Sequence, residues 1–406
     1  MDFEFIQQIS REVGFGGGSE CVAFELHRAW LAEGLDARIV TTNATESDAR
    51  QGIAIVAAWL NALFAVTGLR HLAELFAIPL FTLIATWRVY RTSGRKIVLS
   101  HGDSLIGDVC VVHAVNRACN TEKMRGGHYA WLFNPLNIWV ALRDRFMLGG
   151  LRYRRFVAIS ERVRSELKDY YQIPDERIVT IPNGINLARF NPHRGGNKTK
   201  VRRGFGIPDD AKVILFVGSR FRIKGLKYAI EALATMKSNA YLLVVGNDNA
   251  TPYKQLAEEL GVSHRVVFAG GRSDLPDLYP AADVFVLPTL YETCALVCLE
   301  AMASGLPVLA APVGGIEDYL HDGQNGFHIR HDGADIAEKL DRILSDVALH
   351  SAIKEAGIAT AANYSWEKIA NEYLQLFAEL KKETAGESCW TTQEVLTPEQ
   401  RVSVQG

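Results

Sequence analysis

Short apolar runs and amphipathic stretches alternate along most of the chain. FEFIQQI near the amino end reads as a strand and is broken by GFGGGSE at 14–20. CVAFELHRAWLAEG places its apolar residues at helical spacing and stops at Gly34, and ARIVTT follows as a strand. KIVLSHGD, DVCVVHAV and RFVAIS are strand-like, ERVRSELKDYY is helical, and RIVTIPNGI closes the first series. A second series opens with the apolar strand KVILFVGS at 212–219. It runs through the helix KYAIEALATM, the strand AYLLVVGN, the helix YKQLAEELG, the strand RVVFAGG, the short helix DLPDLYPAA and the strand DVFVLP. CALVCLEAMASG is a helix with Gly305 where a C-terminal glycine belongs. PVLAAPVGG is a strand and turn, and ADIAEKLDRILSD and HSAIKEAGIATAAN finish as helices. The polar stretch NPHRGGNKTKVRRG at 191–204 reads as a linker, and 386–406, without periodicity, as a loose tail. This alternation predicts an α/β protein with two doubly wound parallel sheets, one in 1–190 and one in 191–365, facing each other across a cleft. Open parallel sheets bind ligands beyond the carboxyl ends of their strands, so one cleft receives loops from both.

One region strains this pattern. IAIVAAWLNALFAVTGL at 53–69 has no formal charge, and LAELFAIPLFTLIATW at 72–87 has only Glu74. The first run is short for a spanning helix and is interrupted by Asn61; the second contains Pro79. The expectation is two helices, packed in a core or lying on a membrane surface with Trp59, Phe64, Phe76 and Phe81 as anchors. Arg88, Arg91, Arg95 and Lys96 follow and suit anionic headgroups.

Composition agrees with a folded globular chain: 406 residues, 48% hydrophobic and 22% charged. A formal net charge of −2 gives no global basic excess, so nucleic acid is not an expected partner. The six cysteines show no framework spacing, and MDFEFIQQIS does not resemble a signal peptide, so a cytosolic protein with reduced thiols is expected.

Four loops carry chemistry. In GFGGGSE, glycine allows close backbone approach, and a helix start just after it suits a phosphate. The spacing is not that of a dinucleotide fingerprint. In VGSRFRIKG at 217–225, Arg220, Arg222 and Lys224 follow a buried strand; three clustered cations repel unless an anion such as a diphosphate neutralises them. SHGD and VVHAV place His101 and His113 at the ends of adjacent strands. In YETCALVCLEAMASGLPV at 291–308, Thr293 caps a helix, with Glu292 before its first turn and Glu300 two turns inside. Eight helical residues span about 12 Å. A nucleotide sugar has hydroxylated rings at both ends and a pyrophosphate between, so one carboxylate can hold each ring. Free N–H groups near Cys294, Ala295, Leu296 and Val297 then face the phosphates. Cys294 and Cys298 lie four apart with no matching ligand pair, so packing rather than metal is expected of them.

These residues, together with VAIS, IPNGIN and PVGGIEDYLHDGQNGF, resemble a retaining GT-B glycosyltransferase of family 4 over nearly the whole chain. The carboxyl half is most similar to bacterial lipopolysaccharide-core glucosyltransferases. The resemblance implies two Rossmann-like domains, with the donor held mainly by the second and a last helix, 366–385, crossing back to the first. It implies that Glu292 meets the donor sugar, Glu300 the ribose, and Lys224 with Arg220 or Arg222 the diphosphate. His113 matches the histidine beside the transferred sugar, Gly16, Gly17 and Gly18 the phosphate-side loop, and Gly271 and Arg272 the loop facing the nucleobase. The chain departs from the family pattern at Cys294-Ala295, where an aromatic residue and glycine are usual, at Asn186, where aspartate is common, and over 53–90.

The function expected is transfer of a hexose, with retention, from a UDP-glucose or GDP-mannose type donor to a glycan hydroxyl. The preferred acceptor is a lipid-linked or lipopolysaccharide or exopolysaccharide glycan at the inner membrane leaflet, with the protein bound peripherally to anionic lipid. D-x-D is absent, so no cofactor and no essential metal are expected. A soluble acceptor, a nucleotide-sugar epimerase and a non-catalytic sugar-nucleotide binding protein are the alternatives.

Overall fold

The computed structural model describes residues 3–14, 18–44, 52–56, 70–125, 134–194 and 198–391. The first half is built on seven parallel strands: β1 Phe5–Ile9, β2 Ala37–Thr41, β3 Ile53–Ile55, β4 Lys96–Ser100, β5 Val109–Val112, β6 Arg155–Ala158 and β7 Ile178–Thr180. Their order is β3-β2-β1-β4-β5-β6-β7. The second half has six: β8 Lys212–Val217, β9 Ala240–Val245, β10 Val266–Gly270, β11 Val284–Leu287, β12 Val308–Ala310 and β13 Phe327–His328, ordered β10-β9-β8-β11-β12-β13. The central strands are buried on both faces, which is why they read as continuous apolar runs rather than alternating ones.

Each sheet reverses its winding once, between β1 and β4 in the first and between β8 and β11 in the second. The loops leaving these strands bound the crevices in which such folds place ligands. The loop after β8 carries Arg220 to Lys224, and the loop after β11 carries Glu292. They touch closely: a Cβ on Gly225, at φ +74°, would lie 1.8 Å from the Pro288 carbonyl oxygen, so only glycine fits.

Helices α1 Gly18–Ala32, α2 Arg70–Arg91, α3 Asn116–Arg125, α4 Pro135–Asp144 and α5 Glu161–Tyr171 dress the first sheet. The last helix, α6 Trp366–Thr391, packs on that sheet's layer. Trp30 of α1 meets Tyr373 edge-on at 6.1 Å between centroids, and its Nε1 donates to the Ala370 carbonyl oxygen at 3.3 Å. The helix runs to Thr391, past the boundary at 385 where a loose tail was expected; 392–406 lie outside the described residues.

Three further expectations are corrected. Residues Ile53–Ile55 form β3 beside β2 rather than starting a helix, because a strand edge was open there; 57–69, with Trp59 and Phe64, lie outside the described residues. Phe81 is no membrane anchor: it is buried with Ala85 and Val89 on the inner stripe of α2, while Phe76 is 63% exposed on the outer one. Within the expected linker, Lys198–Gly204 is a helix, held because Arg202 donates to the Ala281 and Ala211 carbonyl oxygens and pairs with Asp283 at 2.6 Å. No helix among the described residues is long and apolar enough to cross a membrane.

Candidate active site

The loop after β8 is pinned by one buried side chain. Phe221 meets Tyr253 edge-on at 5.6 Å, and its backbone N–H donates to Asp248 Oδ2 at 2.6 Å. Its neighbours Arg220 and Arg222 are left exposed. Arg220 holds a left-handed conformation at φ 59°, uncommon for a residue with a Cβ and concentrated at functional sites. One turn on, Lys224 forms an ion pair with Glu292 at the switch point of the second sheet. The residue expected on a diphosphate and the residue expected on a sugar are thus each other's partner without a ligand. Glu292 Oε1 also accepts from the Thr293 N–H at 3.1 Å. The loop is backed by Gly314, where a Cβ would lie 1.8 Å from the Glu292 carbonyl oxygen.

The expected Thr293 cap is not made. Helix α7, Leu296–Ala303, starts two residues later, from Ala295 at φ 52°, without a side-chain cap. That left-handed turn is where glycine is usual; alanine there costs of order 1 kcal/mol. Cys294 lies in the core of the first half and Cys298 in that of the second, and burial pushes the Cys294 thiol up to about 12. Leu296 packs against both cores and Val297 against the second. Glu300 lies in α7, half-buried, and accepts from the hydroxyl of buried Tyr279 at 2.7 Å. Burial raises its carboxyl above the usual range, against the Tyr279 bond and the charge of Arg189. Gly271 and Arg272 are exposed on the loop after β10, with Arg272 paired to Asp274 at 2.8 Å and its guanidinium 5.6 Å from the Phe205 ring centre.

Across the cleft, β4 and β5 bring His101 and His113 together, 3.0 Å between His101 Nδ1 and His113 Nε2. His113 lines a cavity of about 200 Å³ with Ser19, Asn116, Arg143 and Asp144. Burial lowers its imidazole to about 4, so the ring is neutral at pH 7. Gly18 opens α1 nearby; Gly16 and Gly17 lie outside the described residues. The halves touch here: the Tyr291 hydroxyl, next to Glu292, is 3.0 Å from Cys119 Sγ of α3, and the Glu161 N–H donates to Asp318 at 3.0 Å.

Sequence reasoning missed Tyr279, whose phenol is hidden in an apolar context, and the partners of Asn186. Asn186 Nδ2 donates to Glu25 at 3.0 Å in the first half. An aspartate would set two carboxylates against each other, which gives the departure a physical reason.

Comparisons with known proteins agree with this architecture. A profile described as Glycosyltransferase Family 4 matches residues 16–189, and one described as Glycosyl transferases group 1 matches 197–360. The chain is 35% identical over 229 residues to an uncharacterized glycosyltransferase of Methanocaldococcus jannaschii, MJ1607, covering 54% of this chain and 59% of that protein. It is 32% identical over 216 residues to the lipopolysaccharide glucosyltransferase WaaG of Escherichia coli, covering 52% and 57%. The chain therefore spans less than two thirds of these relatives. A crystal structure of WaaG superposes with TM-score 0.70 at 24% identity over 91% of this chain and 99% of that one. Anabaena HepE in complex with UDP-glucose gives 0.67 at 17% over 92% and 99%. Two halves matched in register by the two profiles, on two facing doubly wound sheets, place this chain in the family of GT-B glycosyltransferases.

Proposed function

We propose that the protein is a retaining glycosyltransferase that moves a hexose from a nucleotide-diphosphate sugar, of the UDP-glucose or GDP-mannose type, to a hydroxyl of a lipid-linked, lipopolysaccharide or exopolysaccharide glycan. The observation that carries this reading is the Lys224–Glu292 pair at the switch point of the second sheet, tied through Tyr291 to the helix that follows His113. The donor's diphosphate takes Lys224 from Glu292 and frees the carboxylate for the sugar. Arg220 or Arg222 adds a second cation, the start of α7 at Leu296 and Val297 adds N–H groups, and Glu300 receives the ribose. Gly271 and Arg272 face the base, and Gly18 lies on the phosphate side; Gly16 and Gly17, expected in the same loop, are outside the described residues. HepE, a structure of like fold, binds UDP-glucose, which supports this class of donor.

In the reaction the bond from the anomeric carbon to the diphosphate oxygen breaks as the acceptor oxygen bonds to the same face. The acceptor's proton passes to the leaving phosphate. Negative charge grows on the diphosphate, and Lys224, once drawn from Glu292, stabilises it together with the helix start, taking the part a metal plays elsewhere. Neutral His113 contributes a hydrogen bond to the sugar.

The acceptor reading rests on α2 and its neighbour. Phe76, Leu83, Trp87 and Tyr90 are exposed on one stripe of α2, and α4, which adjoins it, exposes Ile138 and Leu142. Arg91 lies over Trp87, 5.0 Å from the ring centre. An exposed apolar face with cations beside aromatics suits the inner surface of an anionic membrane. A donor panel of UDP- and GDP-sugars, with the product anomer read by NMR, tests the chemistry. Transfer with retention is expected; epimerised free sugar without any acceptor overturns it. Flotation with anionic vesicles tests the membrane, and no binding favours a soluble acceptor.

A further inference from the structure

Two side chains behind His113 take no part in the reaction described above. His101 follows β4 and Gln8 lies in β1, the strands at which the first sheet reverses its winding. Gln8 is fully buried and His101 nearly so. His101 Nε2 is 3.1 Å from Gln8 Oε1, and His101 Nδ1 is 3.0 Å from His113 Nε2. The two rings are nearly parallel, at 14°. The three groups form one chain from the buried sheet to the cleft.

The chain has a direction. A neutral imidazole has one N–H and one bare nitrogen. An amide oxygen can only accept, so His101 Nε2 carries the hydrogen and His101 Nδ1 is bare. A bare Nδ1 accepts, so His113 Nε2 carries the hydrogen. His113 Nδ1, at the other side of the ring, is then bare, and no group among the described residues donates to it. We propose that Gln8 and His101 are positioning residues that hold His113 in the tautomer with a bare Nδ1, so that the ring offers a hydrogen-bond acceptor to a sugar hydroxyl in the cleft. The sugar rests on the function proposed above; the tautomer does not.

The surroundings keep both rings neutral. Burial lowers His101 well below its ordinary value and His113 to about 4. The charged groups facing the cavity come from α4, and they satisfy each other: Arg143 Nη2 donates to Asp144 Oδ1 at 2.9 Å, and Asp144 Oδ2 accepts from Asn116 Nδ2 of α3 at 2.8 Å. Ser19 of α1 is uncharged. Asp103, after β4, accepts from the Arg11 N–H at 2.8 Å, and burial raises its carboxyl. None of these makes a direct ion pair with His113. A doubly protonated His113 would lose its acceptor, so burial protects the function of the chain. Gln8 Nε2 is buried without a partner among the described residues, so the Oε1 bond alone fixes the direction. Turning that amide over would put a donor on His101 and reverse every hydrogen in the chain.

The test is two-bond ¹H–¹⁵N correlation NMR on the full-length protein carrying ¹⁵N-histidine, with His113 assigned by its loss in His113→Gln. The expected result is a pyridine-like Nδ1 and a pyrrole-like Nε2 for His113. His101→Leu or Gln8→Leu should mix the tautomers. Either should lower kcat/KM about tenfold at neutral pH and leave the acid limb near 4, because burial and not His101 sets it. His101→Asn, which puts an amide where Nδ1 was, should restore the tautomer and with it kcat/KM. A pyrrole-like Nδ1 in the parent protein overturns the proposal. So does an unchanged tautomer in whichever leucine variant folds. Absence of sugar transfer, with the expected NMR pattern, would count against the proposed function and leave the relay standing.

Discussion

Replacing Lys224 with methionine removes the charge and keeps a stem of similar length. The stem matters, because a Cβ on Gly218 would lie 3.0 Å from Lys224 Cγ, so the two pack tightly. Lys224 and Glu292 are 14% and 13% exposed, a pair partly withdrawn from water. Lys224→Met leaves Glu292 with the Thr293 N–H at 3.1 Å but no ion-pair partner among the described residues. An unpaired group at this depth costs about 1–3 kcal/mol of stability. The effect on turnover is separate. A fixed cation facing a leaving diphosphate acts mainly in the transition state, and its loss should cut kcat roughly a hundredfold, or about 2.7 kcal/mol. Glu292→Gln in the same chain removes the stranded charge, so the double variant should regain stability in urea titration without regaining turnover. The assay is nucleotide-diphosphate release at saturating donor. Turnover of Lys224→Met within threefold of the parent refutes the reasoning. Recovery of turnover in the double variant does too, since Lys224 would then serve only to neutralise Glu292.

Three further outcomes follow from the structure. Glu300 ionises at a cost because burial raises its carboxyl, so the folded state gives up stability as pH rises through that shifted value. Glu300→Gln should therefore raise Tm by roughly 2–4 °C at pH 7, the effect of about 1 kcal/mol, while KM for the donor rises tenfold or more. Ala295→Gly relieves the left-handed turn at φ 52° and should raise stability by about 0.5–1 kcal/mol in urea titration. His113 binds its proton near 4 when folded and near 6.5 when unfolded, so stability should fall as pH drops from 6.5 to 4, and His113→Gln should flatten that slope in unfolding curves.

Much of this fold is legible in residue pattern because parallel strands buried on both faces, such as KVILFV and VFVL, leave little ambiguity. Gly305 was legible for a local reason: it holds φ +78° just past α7, a conformation alanine resists. The start of that helix was not. Thr293 is a good cap by residue type, yet the chain turns at Ala295 because Cys294 is drawn into the core of the first half, a contact between distant segments. Phe81 and Phe76 are the same residue type on one helix, and only packing against β1 and β2 decides which faces inward. At the site, Glu300 stood out as an acid in an apolar run, but Tyr279, its partner, is 21 residues away with nothing local to mark it. Lys224 and Glu292 were each legible from their loops; that they pair with each other, 68 residues apart, needed the sheet order that sets β8 beside β11.

A crystal structure of the protein with the nucleotide sugar selected by the donor panel tests the central claim most directly. The diphosphate should lie on Lys224 and the start of α7, with the hexose on Glu292, the ribose on Glu300 and the original ion pair opened. A donor bound elsewhere, with Lys224 still paired to Glu292, would contradict it.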